Sequence, residues 1–307
     1  MYFITLLNLK LRKVLWGRYL LFNSVISKIG ISKIRMGKST LGERLYLLFN
    51  KVLHFKLPEP IKANGMIMYH RAIDGRGWFG WCYAFDYERQ TRRIFEKIIK
   101  PGMTVVDVGA NIGYYTLLAA KLVGGDGRVY AFEPDPSYYS LLKKNIEVNR
   151  LSAIAEPFRL AVGDTGKKST LFLGIATGTS FFRIPGITGQ TVIADVVSLD
   201  KFFMERNWPA VQIIKIDIEG AEKMALEGMH ELLRKNQDLK LIIELNPFCL
   251  EIAGTSSEHL LILLSELGFK RITIISETPK FYRIPQATRD LLNFVQKPMY
   301  VNLLCER

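Results

Sequence analysis

Acidic residues in this sequence recur where runs of mainly apolar residues stop. Asp107, Glu133, Asp164 and Asp217 each lie at or just after such a run. Because the carboxyl ends of parallel strands lie along one edge of a sheet, these carboxylates would line a common rim. Carboxylates accept hydrogen bonds from hydroxyl and amine groups, and they can take up a proton. We therefore expect a binding or catalytic site at this rim.

The first rim residue belongs to a loop with a ligand-binding pattern. Residues 104–113 pass from a β-branched run into a glycine-rich turn, and a helical pattern follows over 114–123. The spacing Asp107-x-Gly109-x-x-x-Gly113 departs from the G-x-G-x-x-G of dinucleotide-binding folds. Asp107 would repel a pyrophosphate but suits S-adenosylmethionine, which carries an ammonium and a sulfonium and no phosphate. The alternative is that Gly109 and Gly113 only permit close packing of strand and helix.

Two further carboxylates extend this interpretation. Glu133 lies 20 residues after Gly113, at the end of the next predicted strand. An acid at that place can accept hydrogen bonds from both ribose hydroxyls, as in dinucleotide-binding folds. Asp164 could accept a hydrogen bond from the exocyclic amine of adenine. Alternatively, Glu133 is an acid that stabilises the N-terminus of the following helix, and Asp164 is an ordinary turn residue.

A second group of residues suits chemistry on an acceptor. Lys215, Asp217 and Glu219 alternate along one predicted strand and its exit, so their side chains would share a face. Asp217 or Glu219 would orient or deprotonate an acceptor hydroxyl, and Lys215 would steer its charge. The alternative is a structural ion pair between the lysine and one of the acids. No histidine is close to them in sequence, so we expect no metal.

Strand and helix patterns alternate along the body of the chain. After the opening strand, strands are predicted over 128–133, 155–162, 212–218 and 239–245, with two more near 269–276 and 298–305. Helices are predicted over 87–100, 114–123, 137–149, 221–235 and 256–267. This alternation predicts an α/β protein with a mostly parallel, doubly wound sheet and helices on both faces.

Four motifs in order carry a family resemblance: DVGANIGYYT, FEPDP, AVGD and KIDIEGAE. With them, the sequence resembles the FkbM-type S-adenosylmethionine-dependent methyltransferases over roughly residues 85–277. The resemblance implies a class I methyltransferase, Rossmann-like fold with a seven-stranded sheet whose last strand is antiparallel. It also implies methylation of a hydroxyl, often on a sugar or polyketide-like acceptor.

The resemblance also assigns roles to residues within and around the motifs. It implies that Ala110, Asn111, Tyr115 and Pro134 join the residues above in binding the cofactor. It takes in the pairs Tyr87-Glu88 and Leu199-Asp200 as well as Glu244 at the end of the fifth strand. We expect Glu88 and Glu244 on the acceptor side of the site.

Composition and charge limit the remaining function classes. Hydrophobic residues make up 49% and charged residues 23%, which is typical of a globular protein. The three cysteines form no disulfide framework, which favours a cytoplasmic protein. Residues 1–60 hold eleven Lys or Arg and two acids, a net +9 of the total +13, so the body carries only +4. A nucleic-acid partner is therefore not expected, and a small-molecule or glycan acceptor is.

We divide the chain into a basic, amphipathic helical extension over 1–60 and a methyltransferase domain over 61–307. The segment 1–57 would contact anionic lipid at the inner membrane surface, bind a partner as a cap, or pack on the domain as a helical lid. Residues 174–189 are a candidate flap. Trp78, Trp81 and Tyr83 are either a stacking surface for a sugar ring or core residues. Competing functions are a nicotinamide-dependent oxidoreductase and a non-catalytic cofactor-binding module.

Overall fold

The structure is a computed structural model that describes residues 60–70, 87–164, 166–174, 179–183, 188–295 and 300–307. The chain divides into two compact units, Met1–Lys56 and Leu57–Arg307, and every described residue lies in the second. The predicted helical extension, its membrane contact and the three aromatic residues at 78, 81 and 83 lie outside the described residues.

Strands and helices alternate through the body as the sequence predicts. The strands are β1 (Ile61–Ala63), β2 (Met66–Met68), β3 (Thr104–Val108), β4 (Arg128–Phe132), β5 (Ala155–Phe158), β6 (Ala161–Val162), β7 (Lys168–Gly174), β8 (Thr179–Ser180), β9 (Thr188–Val197), β10 (Ile213–Ile216), β11 (Lys240–Leu245), β12 (Arg271–Ile275), β13 (Lys280–Arg283) and β14 (Val301–Glu306). The helices are α1 (Arg89–Ile98), α2 (Tyr114–Val123), α3 (Pro136–Val148), α4 (Leu199–Met204), α5 (Glu222–Glu227), α6 (His230–Lys235), α7 (Pro247–Ile252), α8 (Ser257–Glu266) and α9 (Thr288–Val295).

The main sheet has the order β13-β12-β14-β11-β10-β3-β4-β5. The five strands from β11 to β5 are mutually parallel, and β14 runs antiparallel to both of its neighbours. This arrangement confirms the mostly parallel, doubly wound sheet. In the described part of the chain the sheet holds eight strands rather than seven, because the chain turns after β12 and adds β13 antiparallel at the edge.

Alternating side chains of the central strands fill two apolar layers. Val106 and Ile214 pack on one face of the sheet, whereas Val105 and Ile213 pack on the other. The second face also receives α2, whose residues Leu117 and Ala120 are fully buried. Because both faces are covered, the strand ends are the part of the sheet left open to a ligand.

One predicted strand, 155–162, is divided between two sheets. Residues Ala155–Phe158 form β5 at the edge of the main sheet, and Ala161–Val162 form β6 beside β9 in a second sheet. This second sheet has the order β6-β9-β7-β8 and contains a long β7–β9 hairpin. Of the candidate flap over 174–189, Gly174 ends β7, Thr179–Ser180 form β8 and Thr188 begins β9, whereas residues 175–178 and 184–187 lie outside the described residues.

The single helix predicted over 221–235 is wrong, because the structure has two short helices, α5 and α6, with Gly228 between them. A Cβ on Gly228 would lie 2.1 Å from the backbone oxygen of Gly163. The Gly228 carbonyl also accepts a hydrogen bond from the Asp200 amide at 2.9 Å. The chain therefore leaves the helical path to pack closely against its neighbours, and this contact is not local in sequence.

Candidate active site

A cleft opens at the carboxyl ends of β3, β4 and β10, at the predicted rim. About 860 Å³ of atom-free space lies in and over the cleft, part of it open to solvent. Most of the predicted site residues line this cleft: Asp107, Gly109, Ala110, Asn111, Tyr115, Glu133, Pro134, Lys215, Asp217 and Glu219. The fold therefore brings together residues that are more than 100 positions apart in the chain.

Gly109 lets two of the loops at this rim touch. It has a φ of +83°, and a Cβ there would lie 2.0 Å from the backbone oxygen of Asp217. The Gly109 and Ala110 amides both donate to the carbonyl of Phe132, at 3.0 and 2.9 Å. Gly113, with a φ of +96°, packs against Leu142 of α3 and does not line the cleft. Gly109 thus allows the backbone of Asp217 to approach at the site, whereas Gly113 allows the loop to pack against α3 behind the site.

Glu133 connects the glycine-rich loop to the start of α3. Its Oε2 accepts from the Asn111 amide at 2.8 Å, and its Oε1 accepts from the Asp135 amide at 2.9 Å. Burial raises the pKa of Glu133 to about 8, although both hydrogen bonds act in the opposite direction. Asp135, in turn, caps α3 by accepting from the amides of Ser137 and Tyr138. Glu133 therefore fixes the loop while one side of it faces the cleft.

Asp107 is buried at the floor of the cleft. Its Oδ2 accepts a hydrogen bond from the Thr116 hydroxyl at 2.6 Å. Its Oδ1 is buried and has no hydrogen-bond partner among the described residues. Burial raises the pKa of Asp107, and the nearby Lys215 opposes that shift. One carboxylate oxygen of Asp107 beside the glycine loop is thus left without a hydrogen bond among the described residues.

Lys215 and Asp217 form an ion pair, with Nζ 2.8 Å from Oδ2. Lys215 is buried beside Asp107 on the neighbouring strand, and its Nζ lies 4.9 Å from the centre of the Tyr115 ring. Burial acts to lower the pKa of Lys215, but the surrounding carboxylates, Asp217 first, raise it above its usual value. The lysine therefore stays charged and balances several buried acids.

Glu219 lines the cleft from a turn rather than from the strand. β10 ends at Ile216, and Glu219 has a φ of +53°, so strand alternation does not bring it onto the face of Lys215. The Glu219 carbonyl accepts from the Ser180 hydroxyl at 2.8 Å. Its Oε2 lies 3.5 Å from the Cys249 sulfur. The candidate flap thus contacts the turn that carries a predicted catalytic residue.

Glu222, which the sequence analysis did not single out, stabilises this turn through hydrogen bonds to its backbone. It is fully buried, and its Oε1 accepts from the amides of Ile218 and Gly220 at 3.1 and 3.3 Å. Burial raises its pKa to about 7. An acid in the first turn of a helix just after a glycine is the sequence signal that could have indicated it.

Glu88 and Glu244 lie behind the cleft and do not line it. Glu88 accepts from the Tyr115 hydroxyl at 2.8 Å and from the Asn302 amide group at 3.1 Å. Asn302 is the partner of Glu244 in the pairing of β14 with β11. Burial raises the pKa of both carboxyl groups, and for Glu244 the charge of Asp217 adds to the effect. These acids form a second layer that the structure connects to the cleft through Tyr115.

The adenine partner expected at Asp164 is not among the cleft residues. Asp164 is exposed and does not line the cleft. Apolar side chains that sequence reasoning missed form this part of the wall: Phe132, Leu160, Ala161, Val162, Leu171 and Phe181. Such side chains suit the flat faces of an aromatic base. Their types are also those of ordinary core residues, so the sequence held no local signal for them.

The described residues also bear on metal binding and on membrane insertion. Within them no cluster of three or more His, Cys, Asp or Glu could hold a metal ion. None of the helices in the described ranges has the length and apolar character needed to cross a membrane.

Comparison with known proteins identifies the family. Residues 107–271, more than half of the chain, match the model of the methyltransferase FkbM domain. The 31-O-demethyl-FK506 methyltransferase FkbM of Streptomyces tacrolimicus is 29% identical over 163 residues, which are 43% of this chain and 62% of that protein. Methyltransferase 1 of Beauveria bassiana is 27% identical over 146 residues, 41% of this chain and 58% of that protein. The matches thus span about three fifths of these relatives.

Among solved structures, an S-adenosylmethionine-dependent methyltransferase from Aquifex aeolicus matches with a TM-score of 0.39 and 15% identity, covering 71% of this chain and 88% of that one. The family match confirms the expected FkbM-type resemblance, the class I fold and S-adenosylmethionine as the cofactor. The chain belongs to the FkbM methyltransferase family.

Proposed function

We propose that this protein is an S-adenosylmethionine-dependent O-methyltransferase that acts on a hydroxyl of a sugar, a glycan or a related natural product. The observation that carries the proposal is the Lys215–Asp217 ion pair, which lies at the rim of the cleft beside Gly109. The relative from Streptomyces tacrolimicus, whose name describes methylation of an oxygen, supports oxygen as the acceptor atom.

The cofactor side of the cleft is assigned from its contacts. The unpaired Oδ1 of Asp107 and the loop around Gly109 would hold the amino-acid end of the cofactor, and Glu133 would accept from the ribose hydroxyls. The apolar wall around Val162 and Phe181 would cover the base. When bound, the cofactor supplies the methyl group, which is transferred from sulfur to the acceptor oxygen.

On the acceptor side, the protein positions the hydroxyl and receives its proton. Asp217 keeps one oxygen engaged by Lys215, and its side chain is 22% exposed, so it can also contact an acceptor. Glu219 lies at the same rim. Either carboxylate could accept the hydroxyl proton as the new carbon–oxygen bond forms. Because positioning of two reactants supplies much of the rate enhancement in such a displacement, a strong base is not required.

Glu88 and Glu244 support the proposal from the second layer. Burial raises the pKa of both carboxyl groups, which favours their protonated forms beside the Lys215–Asp217 pair. The predictions of a cytoplasmic location, of no nucleic-acid partner and of a role for Asp164 stay predictions.

The first experiment titrates the full chain with S-adenosylhomocysteine in a calorimeter and then assays methyl transfer to a panel of glycosides and macrolide alcohols. Binding together with transfer to an oxygen is the expected result. The Asp217→Asn variant should bind S-adenosylhomocysteine normally and lose about 100-fold or more in transfer rate. The proposal would be wrong if the methyl group were transferred only to nitrogen or to RNA, or if the folded protein bound no S-adenosylhomocysteine.

A further inference from the structure

Two asparagines at the C-terminal end of α3 pair with the backbone of β2 and of Tyr69, the residue that follows it, in the manner of a neighbouring strand. The Asn149 side chain accepts from the Ile67 amide at 2.9 Å and donates to the Ile67 carbonyl at 2.6 Å. Asn145, one helical turn earlier, accepts from the Tyr69 amide at 2.6 Å and donates to the Tyr69 carbonyl at 3.0 Å. Each side-chain amide therefore satisfies both the backbone N–H and the backbone C=O of one residue.

The two asparagines differ in their third contact. Asn145 also donates to the carbonyl of Ile112, at 2.8 Å, within the loop between Gly109 and Gly113. Asn149 instead donates to the carbonyl of Asn145 in its own helix, at 2.7 Å. Asn145 is completely buried, so no water would replace its contact with Ile112. Of this pair, Asn145 is the one that joins the strand to the loop.

A second connection runs from the same hairpin to the cleft. Asn64, in the turn between β1 and β2, donates to the Tyr114 hydroxyl at 2.6 Å. Tyr114 lines the cleft and begins α2 directly after the glycine-rich loop. The hairpin thus contacts the loop at both ends, through Asn145 before Gly113 and through Tyr114 after it.

We infer that Asn145 is a positioning residue for cofactor binding, and that through it the β1–β2 hairpin sets the conformation of the loop over 109–113. The hairpin precedes residues 107–271, which match the family model, whereas Asn145 lies within that range. The inference rests on the cofactor cradle proposed above.

The loop over 109–113 must keep one backbone conformation to bind the cofactor as proposed. The backbone amide of Asn111 donates a hydrogen bond to Glu133. One residue later, the backbone carbonyl of Ile112 accepts a hydrogen bond from Asn145. Without that donor, the buried carbonyl of Ile112 would lose its side-chain partner, and the loop would gain freedom to turn the peptide that leads into Gly113. A bound cofactor would then have to restore the order at the expense of its affinity.

The test compares Asn145→Ala with the matched control Asn149→Ala in the full chain. Each variant loses one of the two side-chain pairings, Asn145 with Tyr69 or Asn149 with Ile67, so both should lower the melting temperature. Only Asn145→Ala should weaken S-adenosylhomocysteine binding, by about tenfold in calorimetry, whereas Asn149→Ala should stay within about twofold of the wild type. Equal losses of affinity in the two variants, or no loss in either, would overturn the inference. Failure of the wild type to bind would instead count against the proposed function.

A second measurement does not depend on how well a variant folds. In the wild-type protein, S-adenosylhomocysteine should slow hydrogen exchange at the Tyr69 amide, which Asn145 holds, more than at the Ile67 amide, which Asn149 holds. Slower exchange confined to the loop over 109–113, with no difference between Tyr69 and Ile67, would show that the hairpin is not coupled to the cofactor.

Discussion

The backbone oxygen of Asp217 lies where a side chain at Gly109 would have to be, 2.0 Å from an ideal Cβ. This contact joins the loop after β3 to the turn after β10, and so joins the cofactor side of the cleft to the acceptor side. Both partners are backbone atoms at the ends of buried strands, so neither can move aside without disturbing the sheet.

Gly109→Ala should therefore destabilise the protein and abolish cofactor binding. Gly102→Ala is the matched control, since Gly102 has a similar φ of +80° but nothing within 4 Å of its Cβ. The control should lose about 1 kcal/mol from the backbone conformation alone, and Gly109→Ala at least about twice as much. Urea unfolding measures both. Equal losses would mean that the contact with Asp217 contributes nothing.

Lys215 and Asp217 should show strong coupling in a double-mutant cycle. Lys215→Met leaves buried carboxylates without their cation, so we expect a loss of about 3 kcal/mol in the free energy of unfolding. Adding Asp217→Asn should recover part of that loss, because one of the uncompensated charges is removed. The cycle is completed by Asp217→Asn alone, measured by denaturant unfolding. Strictly additive effects would contradict the ion pair.

Glu222 should make folding stability depend on pH. Its pKa is about 7 in the folded protein and near 4.5 when unfolded, so the folded state binds more protons between these values. The stabilisation is complete below about pH 4.5 and is lost as the pH rises through 7.

Glu222→Gln keeps an acceptor oxygen for the amides of Ile218 and Gly220 but does not titrate. The melting temperature of this variant should fall less than that of the wild type between pH 5 and pH 8. Glu133, whose pKa is about 8, titrates in both proteins and cancels in the comparison. If the melting temperatures of the two proteins fell in parallel across this pH range, Glu222 would not titrate there.

Asp200 should prove to be a structural residue, although it belongs to the sequence resemblance. Its carboxylate accepts from the amides of Glu231 and Leu232 at 3.0 and 2.7 Å, and so caps the N-terminus of α6 from α4. Asp200→Ala should lower the free energy of unfolding by about 1 kcal/mol and leave S-adenosylhomocysteine affinity unchanged. A selective loss of affinity in calorimetry would indicate a functional role instead.

The sequence predicted the parts of the site that local patterns determine. The two-residue spacing of Lys215 and Asp217 predicted a shared face, and the structure has them in contact. The alternation of strands and helices predicted the sheet, and with it the common rim of Asp107, Glu133 and Asp217.

Features that depend on contacts between distant segments were not predictable in this way. The break at Gly228 arises from its packing against Gly163, and the left-handed turn at Glu219 arises where β10 has already ended. The apolar wall of the cleft around Leu171 and Phe181 is formed with the second sheet, which no sequence motif predicted. Sequence periodicity describes one element at a time, whereas these features are set by how elements meet.

The two outer strands of the main sheet also govern how molecules of this protein can meet one another. At one edge, β5 contains Pro157, which has no amide hydrogen to offer to a further strand. At the other edge, the four-residue β13 begins with Lys280 and ends with Arg283. Short, charged edges resist the addition of a strand from another molecule. In the described part of the chain, the sheet is thus protected at both ends against the edge-to-edge growth that leads to aggregation.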